Sequence, residues 1–214
     1  MIQLHNKDCL SAMLEMADNQ FDLAIVDPPY FIDFGKKNYM GNDTSTTGIK
    51  RHTKKIKHWQ VPGKQYFDEL MRVSKNQIIW GANYYAQHIP HQGRAVWYKK
   101  NLSSTFSKCE IASHSFGIRV DFYQYLWNGM LQENMKNKEK RVHPCQKPVA
   151  LYKWLLSMYA KAGDSILETH LGSGSIAIAC HDMGFDLAAY EIDAEYFAAA
   201  QHRLKQHQRQ LKLF

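Results

Sequence analysis

Ser165-Ile166-Leu167-Glu168-Thr169-His170-Leu171-Gly172-Ser173-Gly174-Ser175 reads as a strand, a glycine turn and the opening of a helix. In such a βα unit the glycines let the backbone approach a ligand closely, and the helix N-terminus offers unpaired N–H groups, so the unit suits a nucleotide. The spacing Gly172-x-Gly174-x-x-Ala177 also fits a dinucleotide fingerprint, which leaves a nicotinamide-dependent oxidoreductase open at this point. Leu187-Ala188-Ala189-Tyr190 reads as the next strand and Glu191 ends it, where an acid accepts hydrogen bonds from the two hydroxyls of a ribose. A nucleoside-containing cofactor is therefore expected. The bland alternative for Glu191 is a solvated or helix-capping acid ahead of Asp193-Ala194-Glu195.

Outward from this unit, short apolar segments alternate with helical patterns, the signature of an α/β sheet. Strands are predicted at 1–6, 21–27, 76–81, 94–99, 118–127, 165–169 and 186–192. Helices are predicted at about 9–17, after Pro62, at about 148–161, at 174–183 and from 194 to about 208. After Pro62 the pattern of Phe67, Leu70, Met71 and Val73 is amphipathic. A chain of 214 residues fits a single domain over 1–214 with a sizeable core. The polar stretch 40–58 is too long for an ordinary connection, and loops of that length are usually functional or disordered.

The strand at 21–27 runs into Asp27-Pro28-Pro29-Tyr30, a segment rich in hydrogen-bond acceptors and almost without donors. Each proline lacks an N–H and restricts the residue before it, so Asp27 and Pro28 are pushed to extended geometry. The Asp27 carboxylate and the Pro28 carbonyl can then accept the two hydrogens of an –NH2 group, while Tyr30 offers a face on which a base can stack. A tight turn after a buried strand is the structural alternative.

The net charge of +7 is unevenly placed. Between residues 36 and 58, Lys36, Lys37, Lys50, Arg51, Lys54, Lys55 and Lys57 are opposed only by Asp43, and a second patch holds Lys136, Lys138, Lys140, Arg141 and Lys147 against Glu139. Two such concentrations suit phosphate-binding arms, which confer affinity and salt dependence without sequence information; solvated loops are the alternative. The four cysteines, Cys9, Cys109, Cys145 and Cys180, form no C-x-x-C pair, which argues against a disulfide framework or a zinc site. Eleven histidines raise the question of a metal, but Pro90 separates His88 from His91 and no histidine pair sits beside suitable acids, so no metal is expected. The absence of a signal pattern and of a long apolar stretch leads to a cytoplasmic expectation, with no membrane partner.

Together these residues resemble the bacterial and phage amino-group DNA methyltransferases that use S-adenosylmethionine, in the permuted group whose Asp-Pro-Pro-Tyr motif precedes the glycine-rich motif. The resemblance spans nearly the whole chain. Asn6-Lys7-Asp8-Cys9 is similar to the family's Asn-Gly-Asp-Cys, and His143-Pro144-Cys145-Gln146-Lys147-Pro148 to its His-Pro-Thr-Gln-Lys-Pro. Trp80-Gly81-Ala82-Asn83-Tyr84-Tyr85, Tyr190-Glu191-Ile192-Asp193-x-x-Tyr196 and Arg203-Leu204 complete the set.

The resemblance implies a Rossmann-like α/β methyltransferase fold, with a mostly parallel seven-stranded sheet, helices on both faces and a circularly permuted motif order. It implies methyl transfer to the N6 amino group of a flipped adenine in double-stranded DNA, since aspartate at position 27 is associated with adenine and serine with cytosine N4. Asp27, Pro28, Pro29 and Tyr30 are the implied catalytic residues. Asp8 (toward the cofactor's adenine), Cys9, Gln146 and Lys147 (the last two beside its methionine part), Glu168, Thr169, His170, Gly172, Ser173, Gly174, Ser175, Glu191 and Ile192 are the implied cofactor-binding set. Lys36, Lys37, Lys50, Arg51, Lys54, Lys55, Lys57, Lys140 and Arg141 are the expected DNA-binding residues. The basic loop 35–60 and a small insertion at 101–142 are candidate recognition elements, and a homodimer would suit the symmetry of a duplex.

Glu168-Thr169-His170 departs from the family's usual Asp-Pro-Phe. Glu168 is one methylene longer than aspartate, and His170 is expected to act neutral, because an imidazolium would repel a sulfonium. A non-catalytic DNA-binding module on a decayed scaffold and a cytosine-N4 enzyme are the alternatives that these residues leave open.

Overall fold

Continuous apolar strands alternating with helices leave the sheet buried on both faces, and the computed structural model shows how. It describes residues 1–30, 60–101, 107–128 and 131–210. In chain order the elements are β1 (Ile2–His5), α1 (Cys9–Met13), β2 (Phe21–Val26), α2 (Lys64–Val73), β3 (Ser74–Trp80), β4 (Gly93–Tyr98), β5 (Cys109–His114) and β6 (Val120–Gln124). They continue with β7 (Trp127–Asn128), β8 (Leu131–Gln132), α3 (Val149–Tyr159), β9 (Ser165–Glu168), α4 (Ser175–Met183), β10 (Asp186–Tyr190) and α5 (Ala194–Arg209).

The main sheet has the order β1-β10-β9-β2-β3-β5-β4-β6, and β7 and β8 form a separate ribbon. The pairs β1/β10, β10/β9, β9/β2, β2/β3 and β4/β6 are parallel, whereas β5 runs antiparallel to β3 and β4. Alternate residues of β2 feed two cores. Leu23 and Ile25 join Leu151, Leu155, Ile176, Ala177, Ala200 and Leu204 of α3, α4 and α5; Ala24 and Val26 join Ala12, Met13, Tyr66, Phe67, Leu70 and Val73 of α1 and α2. Helices thus cover both faces, as the alternation of elements predicts.

Three expectations change. The predicted seven-stranded sheet has eight described strands, because Cys109–His114 forms β5. Its sequence hides it: Glu110, Ser113 and His114 interrupt any apolar run, yet all three are held by ion pairs or hydrogen bonds (Arg94 Nη1 to Ser113 Oγ at 3.3 Å, His114 Nε2 to the Arg119 carbonyl at 3.1 Å). The 101–142 stretch, expected to be a small insertion, contributes β5 and β6 to the main sheet as well as the β7/β8 ribbon. Helix α1 stops at Met13 instead of about 17, because Arg72 donates to the carbonyls of Met13 (2.7 Å) and Met16 (2.8 Å), capturing groups that a longer helix would use. Among the described residues no helix is long and apolar enough to cross a membrane, and no three His, Cys, Asp or Glu side chains are grouped to hold a metal.

Candidate active site

The site lies where the sheet's connections diverge. From β9 the chain passes through α4 to β10 on one side, and from β2 it leads by way of α2 to β3 on the other. In parallel sheets ligands bind beyond the carboxyl ends of strands at such a switch point. The register Leu23↔Ile166 and Ala24↔Leu167 brings Asp27, just past β2, alongside the Glu168-Thr169-His170 segment that leaves β9.

Asp27 sits in a buried charge network. Its Oδ2 accepts from the ammonium of Lys147; that ammonium lies 3.1 Å from Glu110 Oε2, and Glu110 pairs in turn with Lys99. Lys147 is only 4% exposed and its Nζ stands 5.2 Å from the centre of the Trp80 ring. Burial pushes the Asp27 carboxyl up, the Lys147 ammonium opposes this, and Glu110 adds to it. At Glu110 burial is outweighed by Lys147 and Lys99, which hold the carboxyl down at about 2. Asp27 Oδ1 is buried and has no hydrogen-bond partner among the described residues. A buried acceptor of this kind calls for an explanation, because native proteins satisfy nearly all of them.

The Tyr30 ring stacks on Tyr84 with centroids 4.6 Å apart and planes within 6°, and the Tyr85 hydroxyl donates to the Pro29 carbonyl at 2.5 Å. Both tyrosines follow Gly81, whose φ of +76° and close approach to Tyr30 leave no room for a side chain: an added Cβ would lie 2.7 Å from Tyr30 Cδ1. Gly81→Ala is therefore expected to lower stability by about 1–2 kcal/mol from the left-handed backbone alone, with a further loss from displacing Tyr30. Urea unfolding checks this; an unchanged midpoint would contradict it.

Behind Asp27, Glu168 is 1% exposed and accepts the His170 backbone N–H at 2.9 Å. Burial pushes its carboxyl well up, against the opposing His170 N–H. The Thr169 hydroxyl stands 2.6 Å from the Tyr66 hydroxyl and 2.9 Å from His170 Nδ1, while His170 Nε2 is 4.0 Å from Cys9 Sγ. Burial pushes the Cys9 thiol up to about 12, so it stays protonated.

Burial lowers His170 from 6.5 to about 4, with Asp8 opposing, so the ring is neutral at physiological pH. Because the folded value lies below the unfolded one, protonation favours unfolding. His170's contribution is complete above about 6.5 and is lost as pH falls toward about 4, an effect on the order of 3 kcal/mol. His91 and His114 are lowered in the same direction, so the test is a difference: His170→Phe should flatten the fall in stability between pH 6.5 and 4, measured by denaturant titration at each pH.

The glycine turn is fastened at several points. Glu191 Oε2 accepts the Gly172 N–H and its Oε1 the Asp193 N–H, both at 2.9 Å. Gly172 and Gly174 have φ of +51° and +73°, and α4 opens at Gly174 without a side-chain cap. Ser175 Oγ donates to the Lys147 carbonyl at 2.7 Å and lies 3.1 Å from Ser173 Oγ. From α5, Arg203 donates to the Ser173 carbonyl and to Ser175 Oγ, both at 2.9 Å, and pairs with Glu139 at 2.5 Å. Ile192, beside Glu191, is 69% exposed, an apolar side chain left open at the mouth of the turn.

The fold thus gathers Asp27, Lys147, Glu168, Thr169, His170 and Cys9 on one side of this edge and Gly172, Ser173, Gly174, Ser175, Glu191 and Ile192 on the other. Two expected cofactor residues have local duties. Asp8 caps α1, with Oδ1 accepting the Ser11 N–H at 2.8 Å. Gln146 folds its own loop: Oε1 accepts the Val142 N–H at 2.9 Å and Nε2 reaches the Lys140 carbonyl at 3.4 Å. Sequence reasoning missed Glu110, Lys99, Tyr66 and Glu139, all lone polar residues whose partners are distant in the chain.

Of the expected DNA-binding residues, Lys36, Lys37, Lys50, Arg51, Lys54, Lys55 and Lys57 lie outside the described residues. Lys136, Lys138, Lys140 and Arg141 are exposed on the loop after β8. The Arg141 guanidinium stands 5.6 Å from the Trp127 ring centre and donates to the Pro144 carbonyl at 3.3 Å, so it is partly held by the loop itself.

A family model described as DNA methylase, of the N6/N4 methyltransferase type, matches residues 64–202. The Type II methyltransferase M.HpaI of Haemophilus parainfluenzae is 23% identical over 231 residues, which cover 92% of this chain and 72% of that protein. The M1.HpyAVI–SAM complex superposes with a TM-score of 0.61 at 18% identity, covering 95% of this chain and all of that one. The cytosine-N4-specific PvuII DNA methyltransferase superposes with a TM-score of 0.61 at 11% identity, over 97% of this chain and 90% of that one.

Proposed function

The chain belongs to the DNA methylase family of the N6/N4 type, and we propose that it transfers a methyl group from S-adenosylmethionine to the exocyclic N6 of a flipped adenine in double-stranded DNA, in a bacterial or phage-infected cytoplasm. The observation that carries the proposal is Asp27 Oδ1, a buried acceptor without a hydrogen-bond partner among the described residues, just past the end of β2 and alongside the segment that leaves β9.

The residues fit that cofactor. Gly172 and Gly174 open α4 with positive φ and no side-chain cap, which leaves backbone N–H groups for a carboxylate. Each Glu191 oxygen accepts one backbone N–H and keeps a second lone pair for a ribose hydroxyl. Gly172, Ser173, Gly174 and Ser175 would hold the amino-acid end, Glu191 the ribose, and Asp8, Cys9 and Ile192 the adenine side, with Glu168, Thr169 and neutral His170 lining the space between. When bound, S-adenosylmethionine supplies an electrophilic methyl group on a sulfonium.

The amino group of adenine is delocalised into its ring, so the protein must localise the lone pair. Asp27 Oδ1 and the Pro28 carbonyl accept the two amino hydrogens, which favours a tetrahedral nitrogen and aims its lone pair. As the nitrogen bonds to the methyl group and the methyl–sulfur bond breaks to leave a neutral thioether, the positive charge passes to the nitrogen, where the Asp27 carboxylate stabilises it until one amino proton is lost to solvent. The target atom is hidden in a duplex, so the base leaves the stack and finds an aromatic surface at Tyr30 and Tyr84. Lys136, Lys138, Lys140 and Arg141, with the basic residues at 36–57, supply phosphate contacts whose affinity falls with salt.

Aspartate at the head of the tetrapeptide favours adenine over cytosine. Hydrolysis of the labelled product DNA to nucleosides tests the choice: N6-methyladenine is expected, and N4-methylcytosine in its place would overturn it. Thermal melting separates the methyltransferase from an oxidoreductase, since S-adenosylmethionine should raise the melting temperature and a nicotinamide dinucleotide should not.

A further inference from the structure

We propose that Lys147 and Glu110 are positioning residues for Asp27: Glu110 tethers the Lys147 ammonium, Lys147 pins Asp27 Oδ2, and Oδ1 is thereby left as the single carboxylate oxygen for the amino group of the target base. The inference rests on Asp27 being the acceptor in the proposed reaction. It gives Lys147 a task different from contact with the cofactor.

The geometry is specific. Lys147 is anchored at its backbone, where its carbonyl accepts the Ser175 hydroxyl at 2.7 Å, and Pro148, which follows it, restricts its φ and ψ. Its side chain runs beside the Trp80 ring to an ammonium held between Asp27 Oδ2 and Glu110 Oε2. Glu110 is steadied in turn by Lys99. Two acids and two bases therefore balance in one buried cluster, drawn from the residues just past β2 and β4, the segment before α3, and β5.

The two carboxylates of the cluster are held differently: Glu110 Oε2 faces the Lys147 ammonium at 3.1 Å without a formal hydrogen bond, whereas no cation is paired with Asp27 Oδ1 among the described residues. Lys147 takes one oxygen of Asp27, and the other is buried without a hydrogen-bond partner among the described residues. A carboxylate free to turn about its side-chain torsions would offer either oxygen at any angle; with Oδ2 pinned, the direction of Oδ1 is set before the base arrives, which is how a site lowers its reorganisation during reaction. The other titratable groups near Asp27 do not compete. Burial raises Tyr30, Tyr85, Cys145 and Tyr152, and Glu168 is raised well above its ordinary value. Among the described residues, Lys147, Glu110 and Lys99 are the charges that act on it most.

Single-turnover transfer of labelled methyl to an unmethylated mixed-sequence duplex, at saturating S-adenosylmethionine and across pH 5–9, tests this with Lys147→Met and Glu110→Gln. Lys147→Met should lower the rate at pH 7 by about 10²-fold and move the acid limb of the profile up by about one to three pH units. Its dissociation constant for S-adenosylmethionine should match the wild-type value. Glu110→Gln removes the opposing anion and should move the acid limb down. The double variant loses one charge of each sign, so it keeps a balanced cluster and should fold even if Lys147→Met does not, while retaining the loss of rate.

A wild-type rate and limb in Lys147→Met, or in the double variant should the single fail to fold, would overturn the inference. So would shifts of the same sign in both single variants, or a cofactor affinity that falls by the same factor as the rate. Asp27→Ala in the same series separates the two levels: if transfer survives it, the assignment of Asp27 fails; if transfer is lost and Lys147→Met behaves as wild type, only the positioning role fails.

Discussion

Asp27→Ala is expected to lower single-turnover methyl transfer by about 10³-fold while leaving the affinity for S-adenosylmethionine close to that of the wild type. The substitution removes the acceptor that faces the amino group and the charge that stabilises the developing ammonium, interactions stronger in the transition state than before it. The fold should tolerate it. Lys147 keeps Glu110 as a partner at 3.1 Å, and the cofactor-side contacts of Glu191 and the glycine turn do not involve Asp27. Asp27→Asn should fail almost as badly, because its amide has one acceptor, and either its –NH2 faces the base or its –NH2 meets the Lys147 ammonium. Rapid-quench measurement of labelled DNA, with calorimetric titration of the cofactor, gives both numbers; a modest loss of rate would mean that the amino group is held elsewhere.

Glu191→Ala is expected to weaken S-adenosylmethionine binding by about 10²-fold, with a smaller effect on the rate at saturation. The carboxylate joins the end of β10 to the glycine turn through the N–H groups of Gly172 and Asp193, and hydrogen bonds to a charged group contribute about 1.5–3 kcal/mol each. Losing them frees the turn and removes the acceptor for the ribose hydroxyls. Glu191→Gln keeps one acceptor and should fall between. Calorimetric titration decides it, and unchanged affinity in Glu191→Ala would reduce Glu191 to a helix-start acid.

What the sequence disclosed were local devices. The glycine turn, the acid ending the following strand and the proline-stiffened Asp27-Pro28-Pro29-Tyr30 segment each constrain the backbone within a few residues, so their chemistry can be read from spacing. Helices α2 to α5 and seven of the strands follow from periodicity in the same way. Strand β5 was opaque because its polar residues are buried by partners that lie elsewhere: Glu110 meets Lys99 and Lys147, and Ser113 meets Arg94. The motif around Lys147 points it to the cofactor, and its side chain turns to Asp27 across a sequence separation of 120 residues. Gln146, its neighbour in that motif, spends its amide on the loop that precedes it. Periodicity and spacing carry no information about pairs of that kind; only the fold brings them together.

The most direct measurement is the transfer of labelled methyl from S-adenosylmethionine to unmethylated duplex DNA of mixed sequence, with wild-type protein and Asp27→Ala side by side. Label recovered in N6-methyladenine from the wild type and absent from the variant is the predicted result. Cofactor binding without any transfer to DNA, or transfer that persists without the Asp27 carboxylate, would contradict the account.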